Sequence, residues 1–106
     1  MKATDIAKKA SELVNGERDR QHGDKIKNFE NIALMWNAYI DLAGKRMGRQ
    51  LDARDVGNMM ALMKVARQFS GELNIDDFID GCGYLACAGE IAALKEEKEG
   101  RLSRVA

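Results

Sequence analysis

Apolar residues recur at helical spacing in four stretches of the chain, and no stretch alternates between apolar and polar residues as a β-strand does. The stretches are residues 4–15, 24–43, 52–69 and 75–98. Each follows the i, i+3, i+4, i+7 template of an amphipathic helix. Residues that commonly cap helix N-termini stand at the start of every stretch: Thr4 or Asp5, Asp24 or Gly23, Asp52, and Asn74.

This pattern predicts an all-α fold, a four-helix bundle formed from one domain over residues 1–106. A chain of 106 residues is long enough for one domain and too short for two. Gly16, Gly44 and Ser70-Gly71 are expected to end the first three helices. The charged tail, from about residue 99 to 106, is expected to fray.

Small residues are concentrated in the fourth helix. The series consists of Gly81, Gly83, Ala86, Ala88, Gly89, Ala92 and Ala93. Each glycine inside a helix costs about 1 kcal/mol relative to alanine, which suggests a close backbone approach, a bound ligand or a kink. The series as a whole would let another helix pack closely. That helix belongs either to the same chain or to a second copy. We expect a homo-oligomer, because a helix of about 36 Å is long for so small a domain.

Composition and charge exclude several classes of protein. Lys plus Arg and Asp plus Glu number 17 each, which rules out overall attraction to nucleic acid or to an anionic membrane, and no extended nucleic-acid surface is evident. No apolar run is long enough for a membrane span, and the first residues lack the pattern of a signal peptide, so a cytoplasmic protein is expected. With Cys82, Cys87 and a single histidine, free thiols are expected rather than a zinc site.

A charged stretch before the second helix contains Arg20, His22 and Gly23, and Asn28 follows in the helix itself. A helix N-terminus with nearby cations can bind an anion, and glycine lets the backbone approach a phosphate closely. The same residues are also compatible with a solvated loop ended by the capping Asp24. The pattern leaves both interpretations open.

Two further pairs lie three residues apart on helices and therefore share a helix face. Lys64 and Arg67 are suited either to holding phosphates or to pairing with acids of the fourth helix. Asp77 and Asp80, with Tyr84 following on the same face, are suited either to binding one divalent cation or to receiving those two cations. Magnesium bridging to a phosphate is the expected ion in the first case.

Three of these sequence motifs, taken in order, resemble a family of small phage and prophage proteins. The family pattern has a Tyr-Gly or His-Gly turn before an Asn-bearing helix, a Lys-x-x-Arg helix and an Asp-x-x-Gly-Tyr helix. In this chain it is matched by His22-Gly23 with Asn28, by Lys64 to Arg67, and by Asp80 to Tyr84. The resemblance covers roughly residues 12–93. It implies a protein that acts in the cytoplasm of an infected bacterial host.

That family in turn is distantly similar to the all-α nucleotide pyrophosphohydrolases of MazG type. Those enzymes use two pairs of acids on two helices to hold magnesium on a nucleoside triphosphate. Asp77 and Asp80 match the later pair, and Glu30 is the only acid in the middle of the second helix, where Asn28 and Asn31 stand at positions expected to be acidic. The resemblance therefore implies a metal set of Glu30, Asp77 and Asp80. The missing acids favour nucleotide binding over cleavage.

Three hypotheses follow from these residues. The first is a non-catalytic binder that sequesters or senses a nucleotide, nucleotide signal or other phosphate-bearing molecule, with a ligand set of Arg20, His22, Asn28, Lys64, Arg67 and Tyr84. The second is a magnesium-dependent nucleotide pyrophosphohydrolase. The third is an interaction protein that inhibits a host defence protein, in which the polar strings are purely structural. No Ser-His-acid or Cys-His arrangement supports nucleophilic catalysis.

Overall fold

The computed structural model describes residues 1–16, 24–48 and 50–100, and within this part the fold is all-α with no strand. The four helices are α1 (Ala3–Val14), α2 (Lys25–Leu42), α3 (Ala53–Arg67) and α4 (Ile75–Lys98). The all-α prediction is therefore confirmed for these residues. Arg20 and His22 lie outside the described residues.

Three of the four predicted helix starts are confirmed by their caps. The side chain of Asp24 accepts a hydrogen bond from the Ile26 N–H, and Asn74 does the same for the Asp76 N–H. Asp52 and Asp55 form a reciprocal capping box at the start of α3. Helix α1 differs from the prediction, since it begins at Ala3 after Lys2. Asp5 is its third helical residue, and its carboxylate accepts from the Lys2 N–H.

One predicted helix end was wrong. Gly44 does not stop the second helix, because the chain continues through a π-helical turn, Ala43–Met47, and ends at Gly48. Gly48 has φ +58°, a left-handed conformation that favours glycine, whereas nothing in the backbone of Gly44 requires one. Helix α3 ends at Arg67 with Gln68 as its C-cap, two residues before the predicted Phe69. The turn that follows reaches Gly71, which has a left-handed φ of +74° and fits the predicted Ser70-Gly71 stop.

The helices pack in series. Helix α3 packs against α4 along most of its length and against α2 on its other side. Helix α1 buries none of its residues. The predicted four-helix bundle is thus four helices of which three pack together in the described part of the chain. The radius of gyration is 17.2 Å, against about 13 Å for a compact domain of this length.

The buried interior is small and partly polar. The buried apolar residues of the described chain are all alanines: Ala43, Ala61, Ala66 and Ala88. Asn28, Asp55 and Asp77 are buried as well. Helices α3 and α4 approach closely at Gly57 of α3, where an added Cβ would lie 2.9 Å from the Ala88 Cβ. Part of the small-residue series in α4 therefore serves packing within the chain.

No described helix combines the length and the apolar character that crossing a membrane requires.

Candidate ligand-binding site

Helices α2 and α3 run antiparallel, and their register is set by two hydrogen bonds from aromatic side chains. Trp36 Nε1 donates to the Met59 carbonyl oxygen over 2.7 Å. The Tyr39 hydroxyl donates to Asp55 Oδ1 over 2.5 Å. Because the two helices run in opposite directions, moving three or four residues towards the start of α2 corresponds to moving about the same number of residues towards the end of α3. The register therefore places Asn28 at the level of Arg67.

An apolar pocket opens between these two helices. Its walls come mainly from α2, with one residue from α3: Phe29, Ile32, Ala33, Trp36 and Met63. Its volume is about 350 Å³, within the range of small-molecule sites. The sequence pattern assigned these residues to the core, and the large exposed fraction of Phe29 shows that the pocket is open to solvent. The aromatic residues at regular spacing on α2 were the available signal, and it does not separate a pocket from a packed core.

Beside the pocket, the two cations of α3 face the two acids of α4. Lys64 Nζ lies 2.9 Å from Asp80 Oδ2, and Arg67 Nε lies 3.6 Å from Asp77 Oδ1. The structure thus brings together four residues that the sequence placed in two separate pairs. It adopts the pairing of cations with acids that the sequence left open as an alternative to phosphate binding.

Two buried acceptors at this end of the helices have no hydrogen bond. Asn28 and Asp77 are each 4% exposed, and neither Asn28 Oδ1 nor Asp77 Oδ1 accepts a hydrogen bond from the described residues, although Asp77 Oδ1 is the atom that lies 3.6 Å from Arg67 Nε. An unsatisfied buried acceptor costs about 1–3 kcal/mol, so such atoms normally find a partner in water or a ligand. Both atoms belong to predicted site residues.

The other predicted residues take less central positions. Tyr84 is half-buried one turn after Asp80, and its backbone carbonyl faces Gly57. Glu30 is exposed, and two helical residues turn by about 200°, so it lies on the side of α2 away from Asn28. The structure therefore does not bring Glu30 to Asp77 and Asp80. Among the described residues, no three His, Cys, Asp or Glu side chains are grouped so that they could hold a metal ion.

A second polar cluster, not anticipated as a unit, lies at the opposite end of α3. Asp55 is fully buried and accepts hydrogen bonds from the Tyr39 hydroxyl and the Asp52 N–H. Asn58 Nδ2 donates to the Tyr39 hydroxyl over 2.9 Å. These bonds join α2 to the start of α3. The sequence identified Asp55 as a capping residue and gave no signal of its bond to Tyr39.

The pKa of Asp52 is lowered from its ordinary value. Burial and the neighbouring Asp55 carboxylate raise the pKa, whereas hydrogen bonds from the Asp55 N–H and the Arg54 guanidinium lower it, and the net pKa is lowered. Lys95 Nζ of α4 lies 3.4 Å from Asp52 Oδ2, which ties the end of α4 to the start of α3.

Comparison with known proteins agrees with the phage resemblance. Residues 5–92 match the family model described as "Domain of unknown function (DUF6378)". The chain is 33% identical over 96 residues to the Gene 55 protein of Mycobacterium phage D29, an alignment covering 91% of this chain and 59% of that protein. It is 32% identical over 89 residues to the Gene 55 protein of Mycobacterium phage L5, covering 84% and 53% respectively.

Two facts bound this comparison. The chain spans only a little more than half the length of the curated relatives it matches. No solved structure matches it significantly. The family model nevertheless covers all four helices almost completely, from the first turn of α1 into the last third of α4. The chain therefore belongs to the family of the DUF6378 domain.

Proposed function

We propose that this protein binds a nucleotide or a nucleotide-like ligand at the pocket between α2 and α3, and that it does not cleave the ligand. The observation that carries the proposal is an apolar, aromatic pocket whose lining residue Ile32 lies one helical turn after Asn28, a buried residue with an acceptor atom that has no hydrogen bond. In this arrangement the ring of the ligand occupies the pocket, and its polar groups reach the Asn28 end of the helices.

The pocket is suited to a flat aromatic ring. Phe29 and Trp36 provide aromatic surface, and Ile32, Ala33 and Met63 complete an apolar lining. Stacking on aromatic side chains is worth about 1–3 kcal/mol per base and does not depend strongly on the identity of the base. Methionine adapts its shape to an irregular ligand. Specificity must then come from the polar groups beside the pocket.

The polar end offers both donors and acceptors. A Lys ammonium has three donors and an Arg guanidinium has five, so Lys64 and Arg67 can keep their contacts with Asp80 and Asp77 and still donate to a phosphate. Asn28 Oδ1 is available to accept from a sugar hydroxyl or a base amino group, whereas Asp77 Oδ1 stays 3.6 Å from Arg67 Nε. A nucleotide carries all of these groups. Arg20, His22 and Tyr84 stay predicted members of the site.

The arrangement favours binding over hydrolysis. Asp77 and Asp80 each face a cation, and Glu30 lies on another side of α2, so these three acids do not form a magnesium site as they stand. The pyrophosphohydrolase hypothesis and its distant MazG resemblance would need a rearrangement that frees both acids. A phage protein that binds without cleaving is suited to sequestering or sensing a nucleotide signal in the host.

The test is a thermal-shift panel of nucleotides, dinucleotides and cyclic nucleotides, each with and without magnesium, followed by chromatography of the same samples. A ligand at 100 times its Kd stabilises the fold by about 2.7 kcal/mol, which shifts the Tm by many degrees in a domain of this size. A shift without product supports the proposal. Product formation would instead support the enzyme, and no shift with any compound would leave a host protein as the target.

Matched variants locate the site. Phe29→Ala removes a pocket wall that is 68% exposed, and Leu34→Ala removes a side chain of α2 that is 72% exposed and lies outside the pocket. Both should leave the unliganded Tm close to that of the parent protein, and only Phe29→Ala should abolish the ligand-induced shift. Lys64→Gln and Lys95→Gln, which each break one ion pair with an aspartate, form a second matched set. Equal loss of the shift in both members of a set would contradict the assignment.

A further inference from the structure

Helix α4 has two apolar faces, and only one of them is covered. Asp77, Gly81 and Ala88 lie on the face that packs against α3. Roughly 130° around the helix lies a second face, which we name the outer face of α4. It is formed by Phe78, Ile79, Cys82, Leu85, Ala86 and Gly89. All six residues are exposed, with Phe78 at 47% and Ile79 at 61%.

The outer face is long and uncharged. From Ile75 to Ala93 it carries no Asp, Glu, Lys or Arg, because the charged residues of this stretch project towards α3 or to the sides. The rise of an α-helix makes this face about 27 Å long. A continuous exposed apolar surface of this kind marks a contact with another protein surface.

We propose that the outer face of α4 is the seam of a symmetric homodimer, in which α4 packs antiparallel against α4 of a second copy. The proposal is independent of the ligand site, because the outer face and the pocket lie on different helices. Helix α1, the other amphipathic element that buries nothing, has 12 residues and is about 18 Å long, so it is too short to cover the seam.

The distribution of side-chain size along the outer face favours the antiparallel orientation. Within the outer face the large residues Phe78, Ile79 and Leu85 precede the small residues Ala86 and Gly89, and the half-buried Ala93 follows them along the helix. An antiparallel pair with its two-fold axis between Leu85 and Ala86 places Phe78 opposite Ala93 of the second copy, and Cys82 opposite Gly89. Phe78 and Leu85 then each meet an alanine, whereas a parallel pair would oppose Phe78 to Phe78 and Leu85 to Leu85.

The accessible surface area of the chain is larger than that of a compact monomer, which also agrees with an interface to a second copy. It is 8000 Å². Surface scaling gives about 5,900 Å² for a compact monomer of this mass, so the excess is about 2,100 Å². Part of this excess belongs to α1, which buries none of its residues, and the remainder is available to an interface. Obligate homodimers bury about 1,000–2,500 Å² on each chain. A two-fold axis makes an interface self-complementary, because each residue of one copy meets the same partner as its equivalent in the other copy. The order of large and small residues along the outer face is suited to such an interface.

The first experiment measures the mass of the full chain by sedimentation equilibrium. The parent protein is expected at twice 11.8 kDa. Gly89→Leu places a bulky side chain in the seam and should give the single-chain mass. Gly83→Leu is the matched control, since both glycines lie inside α4 and an added Cβ meets nothing within 4 Å at either position. Gly83 lies outside the outer face, so this variant should remain dimeric.

Both variants replace a helical glycine by a better helix former, and circular dichroism should show undiminished helix in each. A parent protein that stays at the single-chain mass at all concentrations would overturn the proposal. Dimerisation that survives Gly89→Leu, or that is lost equally in Gly83→Leu, would also overturn it.

A cross-linking experiment tests the orientation. With Cys87→Ser to remove the other thiol, Gly89→Cys should form a disulfide between Cys82 of one copy and the substituted position of the other under mild oxidation. The Cys87→Ser protein, which keeps Cys82 alone, should not cross-link. A Cys82–Cys82 disulfide in that control would show a parallel pair and would overturn the antiparallel arrangement.

Discussion

The Tyr39 hydroxyl donates a 2.5 Å hydrogen bond to Oδ1 of Asp55, a carboxylate with no exposed surface. This bond joins α2 to the capping box at the start of α3. Because the Asp55 side chain is fully buried, every hydrogen bond it accepts offsets part of the cost of removing its polar oxygens from water. The bond therefore stabilises the α2–α3 pair more than a surface hydrogen bond would.

We expect Tyr39→Phe to lower the free energy of unfolding by about 1–3 kcal/mol, because it leaves one bond of a buried carboxylate unmade. Urea unfolding followed by circular dichroism measures the change. A double-mutant cycle with Asp55→Asn isolates the pair, and its coupling energy should be at least about 0.5 kcal/mol. Strictly additive effects of the two substitutions would show that the two side chains do not act together.

Gly57→Ala and Gly83→Ala are expected to change stability in opposite directions. Both place alanine inside a helix, which by itself stabilises by up to about 1 kcal/mol. At Gly57 the new Cβ would lie 2.9 Å from the Ala88 Cβ and 3.1 Å from the Tyr84 carbonyl oxygen, so the two helices must move apart. At Gly83 it meets nothing within 4 Å.

The overpacked variant Gly57→Ala should lose about 1–3 kcal/mol in urea unfolding. The Gly83→Ala variant should be at least as stable as the parent protein. A gain in stability at both positions would mean that α3 and α4 do not approach as closely as described.

The two ion pairs between α3 and α4 should contribute unequally. Arg67→Met leaves Asp77 buried without its cation and should cost about 3 kcal/mol, because breaking a buried pair strands a charge. Lys64→Met leaves Asp80, whose side chain is 46% exposed, to be solvated by water, and should cost less than about 1 kcal/mol. Chemical denaturation of both variants gives the ranking, and a reversed order would show that the Arg67 pair is the more hydrated one.

The free energy of unfolding should fall at acid pH, and the protonation of Asp52 should account for part of this fall. Since its pKa is lower in the folded chain than in the unfolded chain, its ionised form stabilises the fold above the unfolded value of about 3.9, and this contribution is lost as the pH falls through the folded value. Asp52→Asn keeps a good N-cap and removes the titration, so its unfolding free energy should change less between about pH 5 and pH 3 than that of the parent. Asp76→Asn, which removes an exposed carboxylate at the start of α4, should keep the full dependence.

The parts of the fold that depend on local chemistry could be predicted from the sequence. The caps Asp24, Asp52 and Asn74 act within their own turns, and so their positions follow from residue type and spacing. The π-helical turn after Leu42 could not be predicted, because a glycine at position 44 permits a helix end without requiring one.

The candidate site was predictable only in part, for a related reason. Spacing places Lys64 with Arg67 and Asp77 with Asp80, but the pairing of one set with the other depends on how α3 and α4 pack. The pocket illustrates the same limit, since an apolar stripe such as Phe29 to Trp36 shows that a surface favours burial without showing what covers it.

The serial packing of the helices has a consequence for how the chain folds. Among the described residues, the substantial contacts join only elements that follow one another in sequence. Every such contact closes a short loop, so the relative contact order is low, and folding on a timescale of about milliseconds or faster is expected. Since α3 alone packs against a helix on each side, the nucleus of the folding reaction must include it, and destabilising α3 should slow folding more than destabilising α2 or α4.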